Sequence, residues 1–179
     1  MKSIIGLAIF VIFLATLFLV LLNRDVSLET EEHLYQGYGY DKIGNFEQAL
    51  REFNEAIRLD PRHARAYSHR GRTYYNLGQH QRAAQDFDRS ITLDPQDSQA
   101  YIDRGYLFLN QGQLREAIDD FDSAISVNDN LAQAYANRAL GYSLLGNDVH
   151  AEEDIARAVG LGMVREELEA MIEEAKRQR

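Results

Sequence analysis

The stretch Ala64–Asp97, ARAYSHRGRTYYNLGQHQRAAQDFDRSITLDPQD, decides the fold, because its landmarks come back every 34 residues along the chain. Ala83 belongs to the series Ala49, Ala83, Ala117 and Ala151, and Gly78 to the series Gly44, Gly78, Gly112 and Gly146. Tyr67 is matched by Tyr101 and Tyr135. Phe87 is matched by Phe53 and Phe121, with Ile155 closing that column, and Gly71 by Gly37, Gly105 and Ala139. Columns held in phase over this length mean stacked copies of one supersecondary unit. A stack of short helices offers an extended face and few enclosed pockets, so function becomes a question about surfaces.

Within Ala64–Asp97, Ala66, Tyr67, Tyr74 and Leu77 recur at helical spacing and predict a first helix to about Asn76. Gly78 then ends it, since glycine alone enters the left-handed region without a Cβ penalty. Ala83, Ala84, Phe87, Ile91 and Leu93 give a second apolar stripe from about Gln81 to Leu93. Asp94-Pro95 stops that helix, because the residue before proline is pushed out of helical geometry. Gly71 and Ala83 are where two antiparallel helices can approach closely, with Phe87 and Tyr67 as the bulky partners. Neither helix is long enough to be stable alone.

The pattern Tyr67-x2-Arg70-Gly71-x2-Tyr74, followed by Ala83-x3-Phe87 and Pro95, resembles the tetratricopeptide repeat over about Thr30 to Leu161. The resemblance implies an all-α fold: a right-handed α-solenoid of four helix-turn-helix repeats over 30–165, divided as 30–63, 64–97, 98–131 and 132–165. His33 departs from the tyrosine column, Asp129 stands where Pro61 and Pro95 would place a proline, and Ile155 replaces phenylalanine. Residues 163–179 read as a C-terminal capping helix, with Val164, Leu168, Met171 and Ala175 on the face toward the fourth repeat.

The front of the chain is a different material. Ile4 to Leu22 is nineteen residues without a charge, about 28 Å of helix against roughly 30 Å of hydrocarbon. No small-residue cleavage site follows, so residues 1–22 are expected to be an uncleaved transmembrane signal-anchor, joined by a short linker at 23–29 to the repeats. Lys2 and the α-amino group on one side, against Arg24 offset by Asp25 on the other, orient the N-terminus toward the cytoplasm. That places the repeats on the periplasmic side of a bacterial inner membrane. The absence of cysteine is compatible with either redox compartment.

Net charge is −9, from 28 acids and 19 bases, which argues against a nucleic-acid groove. Among His33, His63, His69, His80 and His150 no pair has the spacing of a zinc helix, and the glycines occur singly as punctuation. Asp119 and Asp120 are adjacent on a helix and point apart. No catalytic residue, metal or cofactor is therefore expected.

Arg70, Arg104 and Arg138 are each followed sixteen residues later by an acid: Asp86, Asp120 and Asp154. Two readings stand. These are ion pairs inside the stack, or a row of arginines for an acidic partner. In the first copy the corresponding residues are Gln36 and Glu52.

In arrays of this family the first helices line a concave groove. Carried over residue by residue, the resemblance implies Leu34, Tyr35, Tyr38 and Lys42 from repeat one, and Arg65, His69, Arg72, Tyr75 and Asn76 from repeat two. Ile102, Asp103, Tyr106, Leu109 and Asn110 follow from repeat three, and Ala136, Asn137, Leu140 and Leu144 from repeat four. The expected partner-binding residues among them are Tyr38, Arg65, His69, Arg72, Tyr75, Asn76, Tyr106, Asn110 and Asn137. The family's carboxylate clamp is missing, since Leu34, Tyr38 and Asp103 stand where lysine, asparagine and arginine are needed. The resemblance thus implies a non-catalytic, membrane-tethered scaffold or adaptor that binds a partner peptide or helix. The alternative is a structural protein that assembles into a membrane-attached homo-oligomer.

Overall fold

In the computed structural model residues 2–178 are described, and before Arg24 the side chains of Leu14, Thr16 and Phe18 alone. The chain is all-α: α1 Lys2–Lys42, α2 Phe46–Leu59, α3 Ala64–Asn76, α4 His80–Leu93, α5 Ser98–Asn110, α6 Leu114–Val127, α7 Ala132–Leu144, α8 Asp148–Gly160 and α9 Arg165–Arg177. They form two compact units, Met1–Ala66 and Tyr67–Arg179.

In the first unit, residues 23–29, expected to be a short linker, are helical. They continue α1, a helix of 41 residues. No glycine or proline interrupts the chain between Gly6 and Gly37, and Thr30 Oγ1 donates to the Val26 carbonyl at 2.8 Å, so nothing stops the helix. The transmembrane anchor expected over 1–22 rests mostly on side chains outside the described residues. Among the described residues no helix is long and apolar enough to cross a membrane. The end of α1 packs on α2 through Leu34, Ala49, Phe53 and Ala56. His33, which departs from the tyrosine column, brings Nδ1 within 2.6 Å of Glu52 Oε2, so this first copy supplies its own partner for the acid.

Every hairpin is made the same way. Gly44, Gly78, Gly112 and Gly146 adopt φ between 71° and 78°. Behind each, the next residue's N–H reaches back five positions, as in Asn45 to Tyr40 at 2.9 Å and Gln79 to Tyr74 at 2.8 Å. This is the Schellman closure, which satisfies carbonyls the helix end would leave unpaired. The links out of α2, α4 and α6 are Asx turns, in which Asp60, Asp94 and Asn128 accept from the backbone two residues on. The turn therefore belongs to the residue before the proline position, and Asp129 in place of proline leaves it intact.

The second unit, α3 to α9, shows why the small column is small. A methyl group on Gly71 would sit 2.8 Å from the Phe87 ring, and one on Gly105 2.7 Å from that of Phe121. In the last repeat both sizes change together. Ala139 replaces the glycine and the shorter Ile155 the ring, in one buried cluster with Ala158, Leu168 and Ile172.

The capping helix turns inward part of the face expected: Leu168 and Ala175 pack on the core, with Ile172 in place of Val164 and Met171. Leu168 and Ile172 are buried, whereas Val164 is exposed and Met171 is 38% exposed. Val164 is extended (φ −89°, ψ 125°) and stands before the helix. The helical phase therefore starts at Arg165, and the i, i+4 pair 168/172 faces the core.

Candidate functional site

The arginine column is structural. Arg70 Nε and Nη2 donate to Asp86 at 2.8 and 2.7 Å, Arg104 to Asp120 at 2.9 and 2.6 Å, and Arg138 to Asp154 at 2.8 and 2.6 Å. These bidentate pairs join the two helices of a repeat. Arg104 Nη1 also donates to Asp88 at 2.6 Å, and Arg138 Nη1 to Asp122, each one repeat earlier. Sequence reasoning missed this second link, although Asp88 and Asp122 lie sixteen residues before their arginines. Bonding to Asp120 raises the Arg104 guanidinium above its ordinary value, against burial. With three of their N–H groups committed, Arg104 and Arg138 are not a free cationic row.

The groove face of the second unit is built by α3, α5 and α7. Tyr75 on α3 and Tyr106 on α5 meet edge to face, with ring centroids 5.8 Å apart, a geometry aromatic quadrupoles favour. Asn110 Nδ2, anchored on the Tyr106 backbone carbonyl at 3.0 Å, also donates to Tyr75 Oη at 2.8 Å and so holds the Tyr75 ring. His80 packs against the other side of Tyr75, with centroids 5.6 Å apart. Burial, with Tyr106 beside it, raises the Tyr75 phenol above its ordinary value.

The two tyrosines wall a hollow of about 200 Å³, lined also by Arg72, Asn76, Asp103 and, at its base, Phe87. Drug-sized sites run roughly 300–1,000 Å³, so this one has room for a side chain of a larger partner. Asp103 Oδ1 accepts from Gln99 Nε2 at 2.8 Å, while its Oδ2 is buried and without a hydrogen bond. Arg72 Nε lies 3.8 Å from that oxygen, beyond hydrogen-bonding distance. Burial pushes the Asp103 carboxyl up to about 6, against the opposing effects of Gln99 and Arg72. One period further, Asn137 on α7 is likewise buried with Nδ2 unpartnered.

Of the residues expected from the sequence, Arg72, Tyr75, Asn76 and Tyr106 line this hollow and Asn110 holds its wall. His69 does not line it, and Asn137 lies on the next repeat. Tyr38 and Arg65 belong to the first unit. There Lys42 Nζ stands 5.2 Å over the Tyr38 ring, and Arg65 lies 3.8 Å from Glu31. Ile102, Leu109, Ala136 and Leu140, carried over as groove positions, are core residues. Asp103 and Phe87 were not among the expected binding residues. The buried acid was visible as a departure at an arginine position, but its missing partner was not. Among the described residues no three His, Asp or Glu side chains converge as a metal site would require.

Two tetratricopeptide repeat profiles match the sequence, over residues 36–98 and 87–119. No curated protein matches it. The fold is similar to a crystal structure of MamA, at 25% identity and a TM-score of 0.69 over 80% of this chain and 81% of that one. It is similar to a thermophilic tetratricopeptide protein of Thermus thermophilus, at 23% identity and 0.66 over 74% of each. It is also similar to the first tetratricopeptide domain of Spaghetti (RPAP3) bound to the HSP90 peptide SRMEEVD, at 21% identity and 0.64 over 67% of this chain and 95% of that one. Repeat columns, helix pairs, glycine turns and profiles agree: this chain belongs to the tetratricopeptide repeat family.

Proposed function

We propose that this chain is a non-catalytic interaction scaffold, tethered to a membrane by residues 1–22 and binding an extended segment of a partner protein over the Tyr75–Tyr106 face. The hollow carries the reading: two rings beside the unpartnered Asp103 Oδ2, with the exposed amide of Asn76 among its lining residues. Rigid aromatics with few exposed amides are what recognition of a peptide uses. The Spaghetti domain shows that such a fold can hold a peptide. Here Leu34, Tyr38 and Asp103 replace a carboxylate clamp, so the partner's chemistry differs. The apolar run Ile4–Leu22, with Lys2 before it, supports a single span with the repeats in a bacterial periplasm.

The test is cross-linking in membranes followed by purification of the full chain. The variant carrying Tyr75→Ala and Tyr106→Ala loses the partners that the parent retains; retention of every partner refutes the groove reading. If the partner is a second copy, the same variant converts an oligomer to a monomer in light scattering. Protease added to spheroplasts removes the repeats; protection would contradict the periplasmic placement.

A further inference from the structure

The groove floor holds one carboxylate oxygen that the fold leaves without a hydrogen bond, and this narrows the chemistry of the partner. Asp103, whose Oδ2 is buried, lines the same hollow as Tyr75 and Tyr106, and its neighbour Arg72 stays at 3.8 Å. Buried polar atoms are nearly always satisfied, and those that are not mark a functional or strained position. Arg72 makes no hydrogen bond of its own among the described residues, and its side chain is 40% exposed. It is paired with the oxygen by charge and not by a hydrogen bond, so a partner's cation can compete with it.

We infer that Asp103 receives a lysine or arginine side chain of the partner, which displaces Arg72 and is flanked by the Tyr75 and Tyr106 rings. This rests on the groove reading above. The volume suits one long side chain. Tyrosine rings within about 6 Å attract a cation and are apolar enough to bury its methylene stem. The charged groups acting on Asp103 are Arg72 from α3 and Asp97 before α5; Asn137 on the neighbouring α7 is neutral. Burial leaves the carboxylate short of stabilisation, which a cation at hydrogen-bond distance supplies. Asn137 Nδ2, unpartnered in the same 34-residue column, is a donor placed for a carbonyl of the same extended segment. The net charge of −9 draws a basic segment in over longer range.

The probe is a random dodecapeptide phage library selected on the full-length protein in detergent micelles. The expected result is a set of peptides sharing one basic position and lost on the variant Tyr75→Ala with Tyr106→Ala. In a synthetic copy, replacing that residue by norleucine weakens binding about tenfold or more, and so does the near-isosteric Asp103→Asn. Arg72→Gln raises affinity, since it removes the competitor for Asp103. Groove-dependent peptides with no basic position, or acidic peptides lost on Arg72→Gln, overturn this inference and leave the groove reading standing. Peptides indifferent to the tyrosine variant, or a library that yields none dependent on it, overturn both.

Discussion

Replacing Gly105 by alanine should destabilise the second unit, and replacing Phe121 by isoleucine in the same chain should undo much of the damage. The added methyl lies 2.7 and 3.0 Å from two carbons of the Phe121 ring and 3.1 Å from Asp120 Cβ, where ordinary contact begins at 3.4 Å. The ring, fully buried, has to give by several tenths of an ångström in a packed core. Overpacking of this kind costs about 1–3 kcal/mol, while alanine in a helix interior gains about 1 kcal/mol over glycine. The expected net loss is about 1 kcal/mol. Phe121→Ile alone removes ring volume and leaves a void, for a loss of roughly 2 kcal/mol. Together the two recreate the Ala139–Ile155 combination of the last repeat. The pair should therefore be more stable than the sum of the singles by about 1 kcal/mol or more. Urea unfolding of the four proteins, followed by far-ultraviolet circular dichroism, gives the cycle. Strict additivity would show that ring and glycine are not matched by size.

Arg104→Ala leaves Asp120 buried with its two bonds gone and should cost about 3 kcal/mol. Asp88→Asn, at a side chain 60% exposed, should cost less than about 1 kcal/mol in the same assay. Asp103 is held at about 6, above its ordinary 3.8, so between those values the folded chain binds more protons than the unfolded one. Its contribution is then most favourable below pH ~4 and is lost as pH rises through 6. Asp103→Asn should therefore equal the parent near pH 4 and be more stable above pH 7, by up to about 3 kcal/mol; urea midpoints at both pH values check this. Ile172→Ala should cost about 2–4 kcal/mol and Met171→Ala less than about 1 kcal/mol, the order that thermal unfolding will show if α9 turns Leu168 and Ile172 inward.

What the sequence made legible was whatever carries a backbone or periodic signature. Gly78 announces its turn because no other residue takes φ 71° as readily. Arg70 and Asp86 announce their pairing because both recur with the repeat. That residues 23–29 are helical was not read from the sequence, although without a glycine or proline a helix simply runs on. The inward face of α9 was read half correctly: Leu168 and Ala175 pack on the core, but Val164 stands extended before the helix and Ile172, not Met171, is buried. The hollow itself was half visible. Tyr75 and Tyr106 stood at groove positions, but Ile102 and Leu109 at neighbouring positions proved to be core, since α5 also buries residues on the side toward its neighbouring helices. That Asp103 Oδ2 lacks a partner depends on a 3.8 Å separation, which no residue pattern encodes.

The central claim is that partners dock on the face carrying Tyr106 and not on the outer helices. Photo-cross-linking in living cells tests it most directly, with p-benzoylphenylalanine placed at position 106 on α5 or at the exposed position of Arg115 on α6. The account predicts discrete protein adducts at 106 and none at 115. Adducts of equal yield at both positions, or at 115 alone, would contradict it.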